Sequence, residues 1–179
     1  APRARAGTEQ TPIRLTRDCG HTAAVPFFLP PMPDTPADTE RELLSLLAAR
    51  VRDAALRIDT APSLQELTQA AQQVDALVVL LHDSGQRIER VARLVGDLNR
   101  RLFARLWAMM APSELIANSC LLVMGSEGRG EQIQKTDQDN ALLLRDGFAC
   151  AELHEITARF NAGVAALGWP PCPGNIMLT

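Results

Sequence analysis

LLVMGSEGRGEQIQKTDQDNALLLR, residues Leu121 to Arg145, is the stretch whose reading decides the fold. An apolar run, Leu121 to Met124, ends in Gly125-Ser126, and a glycine-rich polar segment follows. Asp137 and Asp139 then open a second apolar run, Ala141 to Leu144. The expected order is strand, glycine turn, helix start, and a second strand led by Asp-x-Asp. Side chains at i and i+2 of a strand share a face, so Asp137 and Asp139 should present two carboxylates side by side. Ionised carboxylates that close repel unless a cation lies between them. Mg²⁺ suits the place, being a hard ion held by one or two carboxylates plus substrate phosphates. Glycine at 125 lets backbone approach a ligand closely, and N–H groups at a helix start favour an anion. Arg129 adds a planar cationic fork suited to phosphate. The layout fits a nucleoside triphosphate with its metal ions.

Each half of that pattern has a plainer reading. Glycine-rich turns are common in βα connections, and an isolated Asp-x-Asp is most often a solvated turn. The combination, with apolar flanks on both sides, carries the argument. The segment is not a P-loop, because no Lys-Ser/Thr follows the second glycine, and GSEGRG lacks the G-x-G-x-x-G spacing of a dinucleotide site.

Gly125-Ser126, then Arg129, then Asp137-x-Asp139, resembles the signature of the DNA polymerase β-like nucleotidyltransferase superfamily. The fuller string GSEGRGEQ…TDQDNALLL resembles a bacterial nucleotidyltransferase family first catalogued as a domain of unknown function. That family is related to the uridylyltransferase of PII proteins and is often fused to CBS and cyclic-nucleotide-binding domains. The ending GWPPCPGNIM, Gly168 to Met177, is similar to it too, and a weaker helical likeness covers residues 38 to 111. The resemblance implies that Gly125 and Ser126 cradle the triphosphate and Arg129 contacts phosphate. It implies that Asp137 and Asp139 are catalytic and bind Mg²⁺ or Mn²⁺. Glu131 and Gln132 fit the string without an assigned role. The superfamily uses a third carboxylate from a later strand, and none stands out after Asp139: Asp146 reads as a turn residue, Glu152 and Glu155 as helical. The family's domain runs on beyond Thr179, so the α/β part is expected to be incomplete at its C-terminus.

Composition bounds the rest. The 179 residues are 46% hydrophobic, enough for a core. A net charge of −3 argues against a general nucleic-acid binder. Aromatic residues are 4% and Tyr is absent, which argues against a stacking platform for single strands. No apolar run approaches the roughly 20 residues of a membrane span, and no signal-peptide core follows APRARAG. Cys19, Cys120, Cys150 and Cys172 are scattered without zinc-site spacing. They read as reduced thiols of a cytoplasmic protein, with Cys120 as a small buried hydrophobe beside a strand. His154-Glu155 begins H-E-x-x-H, but residue 158 is alanine, so His21, His82 and His154 read as ordinary surface or boundary residues.

Three parts emerge, and the fold class is α+β. Residues 1–37 hold seven of the twelve prolines and read as an extended arm or linker, with Val25 to Leu29 packing on something. Residues 38–112 read as an antiparallel bundle of three helices. The first has Thr39 and Glu42 at capping-box spacing and a stripe of Leu43, Leu46, Leu47, Val51, Ala54 and Ile58; Asp59 to Pro62 breaks it. The second opens on Ser63-x-x-Glu66, carries Leu64 to Leu81, and ends at Ser84-Gly85. The third carries Ile88 to Leu106 and stops before Pro112, its arginines reading as a solvated face. Residues 113–179 should form the nucleotidyltransferase-like mixed sheet with flanking helices: one from about Phe148 to Leu167, capped by Gly168, and a further strand from Ile176 to Leu178.

The function expected is transfer of a nucleoside monophosphate from an NTP to an acceptor hydroxyl. By analogy with the PII-modifying enzyme the acceptor is a protein, in signal transduction. Two alternatives stay open: an NTP-sensing module without turnover that regulates fused domains, and an interaction scaffold, or homodimer, built on the helices.

Overall fold

The structure, a computed structural model, describes residues 36–174 and Met177. The proline-rich arm before residue 36, with Val25 to Leu29, lies outside the described residues, as do Ile176 and Leu178 of the expected last strand. Three long helices come first: α1 (Pro36–Thr60), α2 (Leu64–Asp83) and α3 (Ile88–Met110). A short α4 (Ser113–Ala117) leads into β1 (Ser119–Val123), α5 (Gly125–Gly128), β2 (Asn140–Leu144) and α6 (Leu153–Ala166). No helix among the described residues is long and apolar enough to cross a membrane.

Helix α2 starts where its sequence says it should. Ser63 is its N-cap, and its hydroxyl accepts from the Glu66 N–H at 3.3 Å. Helix α1 does not. It runs from Pro36, so Thr39 lies inside it rather than at its start. Proline's fixed φ suits a first helical turn. The apolar stripe of α1 is also only half used. Ala54 and Ile58 are buried, but Leu43 and Leu46 stay 43% and 59% exposed, because α2 and α3 cover only the C-terminal half of α1.

Helix α3 is central. It packs against α1, α2 and α6, and buries Val91, Val95, Leu98, Leu102, Phe103, Leu106 and Trp107. Its arginines are not all a solvated face. Arg101 pairs with Asp59 at 2.6 Å, and the Arg105 guanidinium donates twice to the Ala61 carbonyl, at 2.9 and 2.6 Å, which clamps α3 to the α1–α2 turn. Gly163 of α6 lies against Leu106, where an added Cβ would come within 2.9 Å of its methyl carbon. Trp107 meets Phe160 of α6 edge-on at 5.3 Å. One apolar cluster therefore runs from α1 through α3 to α6 and Trp169.

The two expected strands are neighbours in one sheet. β1 pairs antiparallel with β2, with Leu121 opposite Leu142 and Val123 opposite Asn140. The wider mixed sheet is not present among the described residues: the ladder has two strands, and a single parallel bridge joins Gln138 to Pro171. Leu121, Val123, Leu142 and Leu144 pack on the core, whereas Leu143 is 58% exposed. Alternation puts Cys120 on the outer face, opposite Leu143, so it is exposed rather than buried. Helix α6 begins at Leu153, five residues later than the sequence pattern suggests, after turns around Gly147 and Ala151.

Candidate functional site

The Asp-x-Asp lies just before β2 rather than inside it. The ladder ends where the Met124 N–H donates to the Asp139 carbonyl at 2.9 Å. One residue earlier the chain turns to a different partner: the Gln138 N–H donates to the Pro170 carbonyl at 3.1 Å. Strand-like alternation persists all the same. Gln138 and Asn140 are 3% and 2% exposed, and the Asn140 amide donates to Gln138 Oε1 at 3.1 Å. Asp137 and Asp139 take the other side, Asp137 exposed and Asp139 partly buried.

Gly125 meets Asp139. Its φ is +62°, a left-handed conformation that glycine adopts freely. A Cβ added there would lie 2.7 Å from Asp139 Oδ2. Gly128, at the end of α5, is held as closely: a Cβ would collide with the Val123 carbonyl oxygen. The glycine turn and the Asp-x-Asp therefore touch, and only backbone without side chains permits it. Ser126 is partly buried in α5. Arg129 follows α5, exposed, its Nε 2.8 Å from Glu131 Oε2.

Cys172 joins the two aspartates. One ligand atom from each of Asp137, Asp139 and Cys172 lies within 4.8 Å of the others. The segment that carries Cys172 is anchored by the end of α6. Gly168, with φ +106°, donates to Ala165 O at 3.0 Å, and Trp169 N–H donates to Val164 O at 3.2 Å, the paired bonds of a Schellman turn. Trp169 is 1% exposed and stacks obliquely on Phe103 at 4.9 Å. Prolines 170 and 171 then run past Gln138 and deliver Cys172.

The residues present fit a divalent cation. Asp139 Oδ1 is buried and has no hydrogen-bond partner among the described residues. A carboxylate oxygen so placed is costly unless a hydrogen-bond donor or a cation satisfies it, and a cation would also relieve its repulsion with Asp137.

Two further residues tie the segments around the site to the helices, and local sequence pattern marks neither of them. Lys135 is nearly buried. Its ammonium donates to Ala71 O at 3.3 Å, to Leu167 O at 2.9 Å and to Asp75 at 2.8 Å, and lies 4.7 Å from the Trp169 ring centre. Glu127, within the glycine-rich segment, is 6% exposed and accepts from the Asn99 amide of α3 at 2.9 Å. Burial pushes its carboxyl pKa up, against the opposing pull of the Asn99 hydrogen bond and Arg100. Its Oε1 has no hydrogen-bond partner among the described residues, and it lines a cleft of about 450 Å³ with Arg100, Phe103, Trp107 and Leu121. Gln132 is buried too, its amide donating to Thr136 at 2.6 Å.

The family model described as "Putative nucleotidyltransferase DUF294" matches residues 72–179, from the middle of α2 onward. No curated protein and no solved structure matches the chain. Residues 72–179 are more than half of the sequence and include both halves of the site just described, so the chain belongs to this nucleotidyltransferase family.

Proposed function

We propose that this chain transfers a nucleoside monophosphate from an NTP to an acceptor hydroxyl, with a protein as the acceptor. The acceptor oxygen attacks the α-phosphorus, the bond to the bridging oxygen of the β-phosphate breaks, pyrophosphate leaves, and the hydroxyl proton passes to solvent. One observation carries the reading: the Gly125 turn and Asp139 of the Asp-x-Asp, separate in sequence, lie in contact.

Each residue has a part. Gly125 and Ser126 let backbone come up to the triphosphate. Arg129 turns from Glu131 to phosphate at small cost, since an exposed ion pair contributes little. Asp137 and Asp139 would hold Mg²⁺ or Mn²⁺ beside the triphosphate. When bound, such an ion would neutralise charge at the phosphate and polarise its oxygens.

A second reading has its own support. Among the described residues the acidic pair is joined by a thiol rather than a third carboxylate, and two-metal chemistry needs ligands for both ions. That favours an NTP-sensing module that binds without turnover. Titration with a fluorescent NTP, with and without Mg²⁺, tests the shared part. Affinity should require metal and fall sharply in Asp139→Asn; equal affinity in both conditions overturns it. Pyrophosphate release with acceptor present then separates enzyme from sensor.

A further inference from the structure

We propose that Cys172 is a metal ligand alongside Asp137 and Asp139, and that its sulfur makes the site prefer a borderline divalent ion over Mg²⁺. The proposal rests on the reading of those two aspartates as metal carboxylates and extends it to a residue outside the Asp-x-Asp.

Three observations carry it. Cys172 is 7% exposed, yet it is not part of the apolar cluster that takes up nearly all the other buried hydrophobic residues. A thiol buried only for its apolar character packs among aliphatic side chains; this one faces two carboxylates. Second, its position is fixed rather than incidental. The Schellman turn at Gly168, the buried Trp169, and the Gln138 contacts to Pro170 and Pro171 set its backbone beside the Asp-x-Asp. Third, Asp139 Oδ1 is buried with no hydrogen-bond partner among the described residues, so the cluster includes an acceptor that the chain leaves unmet.

The spacing is close to what coordination requires. Bonds of about 2.1 Å to oxygen and 2.3 Å to sulfur put ligand atoms roughly 3–4 Å apart around one ion. The three atoms lie within 4.8 Å of one another, and Asp137, being exposed, has room to rotate inward. Two carboxylates and a thiolate form a mixed donor set. Oxygen ligands alone suit Mg²⁺, whereas sulfur draws the preference toward Zn²⁺, Co²⁺ and other softer ions. Metal binding releases the thiol proton to solvent.

Co²⁺ is the probe, because a cobalt–thiolate bond gives a near-ultraviolet charge-transfer band that carboxylates do not. The full chain is titrated with Co²⁺ by absorbance, and Mg²⁺ affinity is measured by competition. The expected result is a saturable band that is lost in Cys172→Ser, with the Co²⁺/Mg²⁺ affinity ratio falling at least about tenfold. Alkylation of the unmutated chain gives a reading that no substitution can confound. Co²⁺ should protect Cys172 from iodoacetamide, mapped by peptide mass, and leave the exposed Cys120 reactive. A missing band, a band that survives Cys172→Ser, or unprotected Cys172 overturns the proposal. The two readings separate cleanly. Metal-dependent NTP binding without the band leaves the nucleotidyltransferase reading standing and removes the thiol ligand. A band without metal-dependent NTP binding does the reverse.

Discussion

Trp169→Ala should be among the most damaging single changes outside the helical core. The indole is 1% exposed, stacks on Phe103 at 4.9 Å and has Lys135 over its face at 4.7 Å. Truncating a buried Trp to Ala costs about 3–5 kcal/mol, cavity included. One term opposes this. The Trp169 Nε1–H is buried without a partner among the described residues, and an unmet buried donor already costs the native state about 1–3 kcal/mol. Removing it returns part of that, so the net loss should be about 2–4 kcal/mol, against a total stability of about 5–15 kcal/mol for an ordinary domain. Trp169→Phe separates the terms. It keeps a ring against Phe103 and deletes the stranded donor, so its cost should stay within about 1 kcal/mol. Urea unfolding followed by far-ultraviolet circular dichroism measures both. With a slope of about 1–3 kcal/mol per molar urea, Trp169→Ala should lower the midpoint by roughly 1–2 M with the slope unchanged. A cost below about 1 kcal/mol for Trp169→Ala, or equal costs for the two variants, would refute the reasoning.

Other changes probe other parts of the site. Gly125→Ala should lose about 1–2 kcal/mol from its left-handed backbone alone, and the new methyl must displace Asp139; metal and NTP binding should fall together in calorimetric titrations. Lys135→Met should cost about 1–2 kcal/mol in urea unfolding, mostly from the Leu167 carbonyl it leaves unmet at the end of α6, since the Ala71 carbonyl keeps its bond within α2 and Asp75 is exposed and contributes little. Glu127 predicts a pH effect. Burial raises its folded pKa above the ordinary 4.5, so its contribution is fully present below that value and is lost as pH rises through the raised one. Glu127→Gln should therefore raise the melting temperature at about pH 8, with the gap to the unmutated chain closing toward about pH 4; a gap that widens on acidification contradicts the assignment.

Much of the scaffold could be read from local pattern. Leu67, Val74 and Leu81 in α2, and Val91, Leu98 and Leu106 in α3, recur at helical spacing and are buried. Ser63 announces a cap, and the two apolar runs around GSEGRG announce paired strands. Gly125, Asp137 and Asp139 stand out because the chemistry they suggest depends on residue type at short spacing. What stayed hidden depends on long-range contact. Cys172 reaches the aspartates only because the α6 turn buries Trp169 against α3. Glu127 looks like one more polar residue in a glycine-rich turn until Asn99, a full helix away, meets it. Leu43 and Leu46 carry the right periodicity but no partner covers them among the described residues, and periodicity says which face is apolar, not what covers it.

Lys135 touches three parts of the body at once: α2 through Ala71 and Asp75, the end of α6 through Leu167, and the Trp169 ring. It stands two residues before Asp137 and has little slack, because its side chain is almost fully enclosed. A change in the gap between α2 and α6 would therefore act on that ammonium, which the backbone joins to Asp137 through the intervening Thr136. Glu127 makes the matching connection on the other side, from α3 to the glycine turn. The helices thus hold both segments that meet at Gly125 and Asp139, and a movement of α3 against α2 would change the distance between those segments.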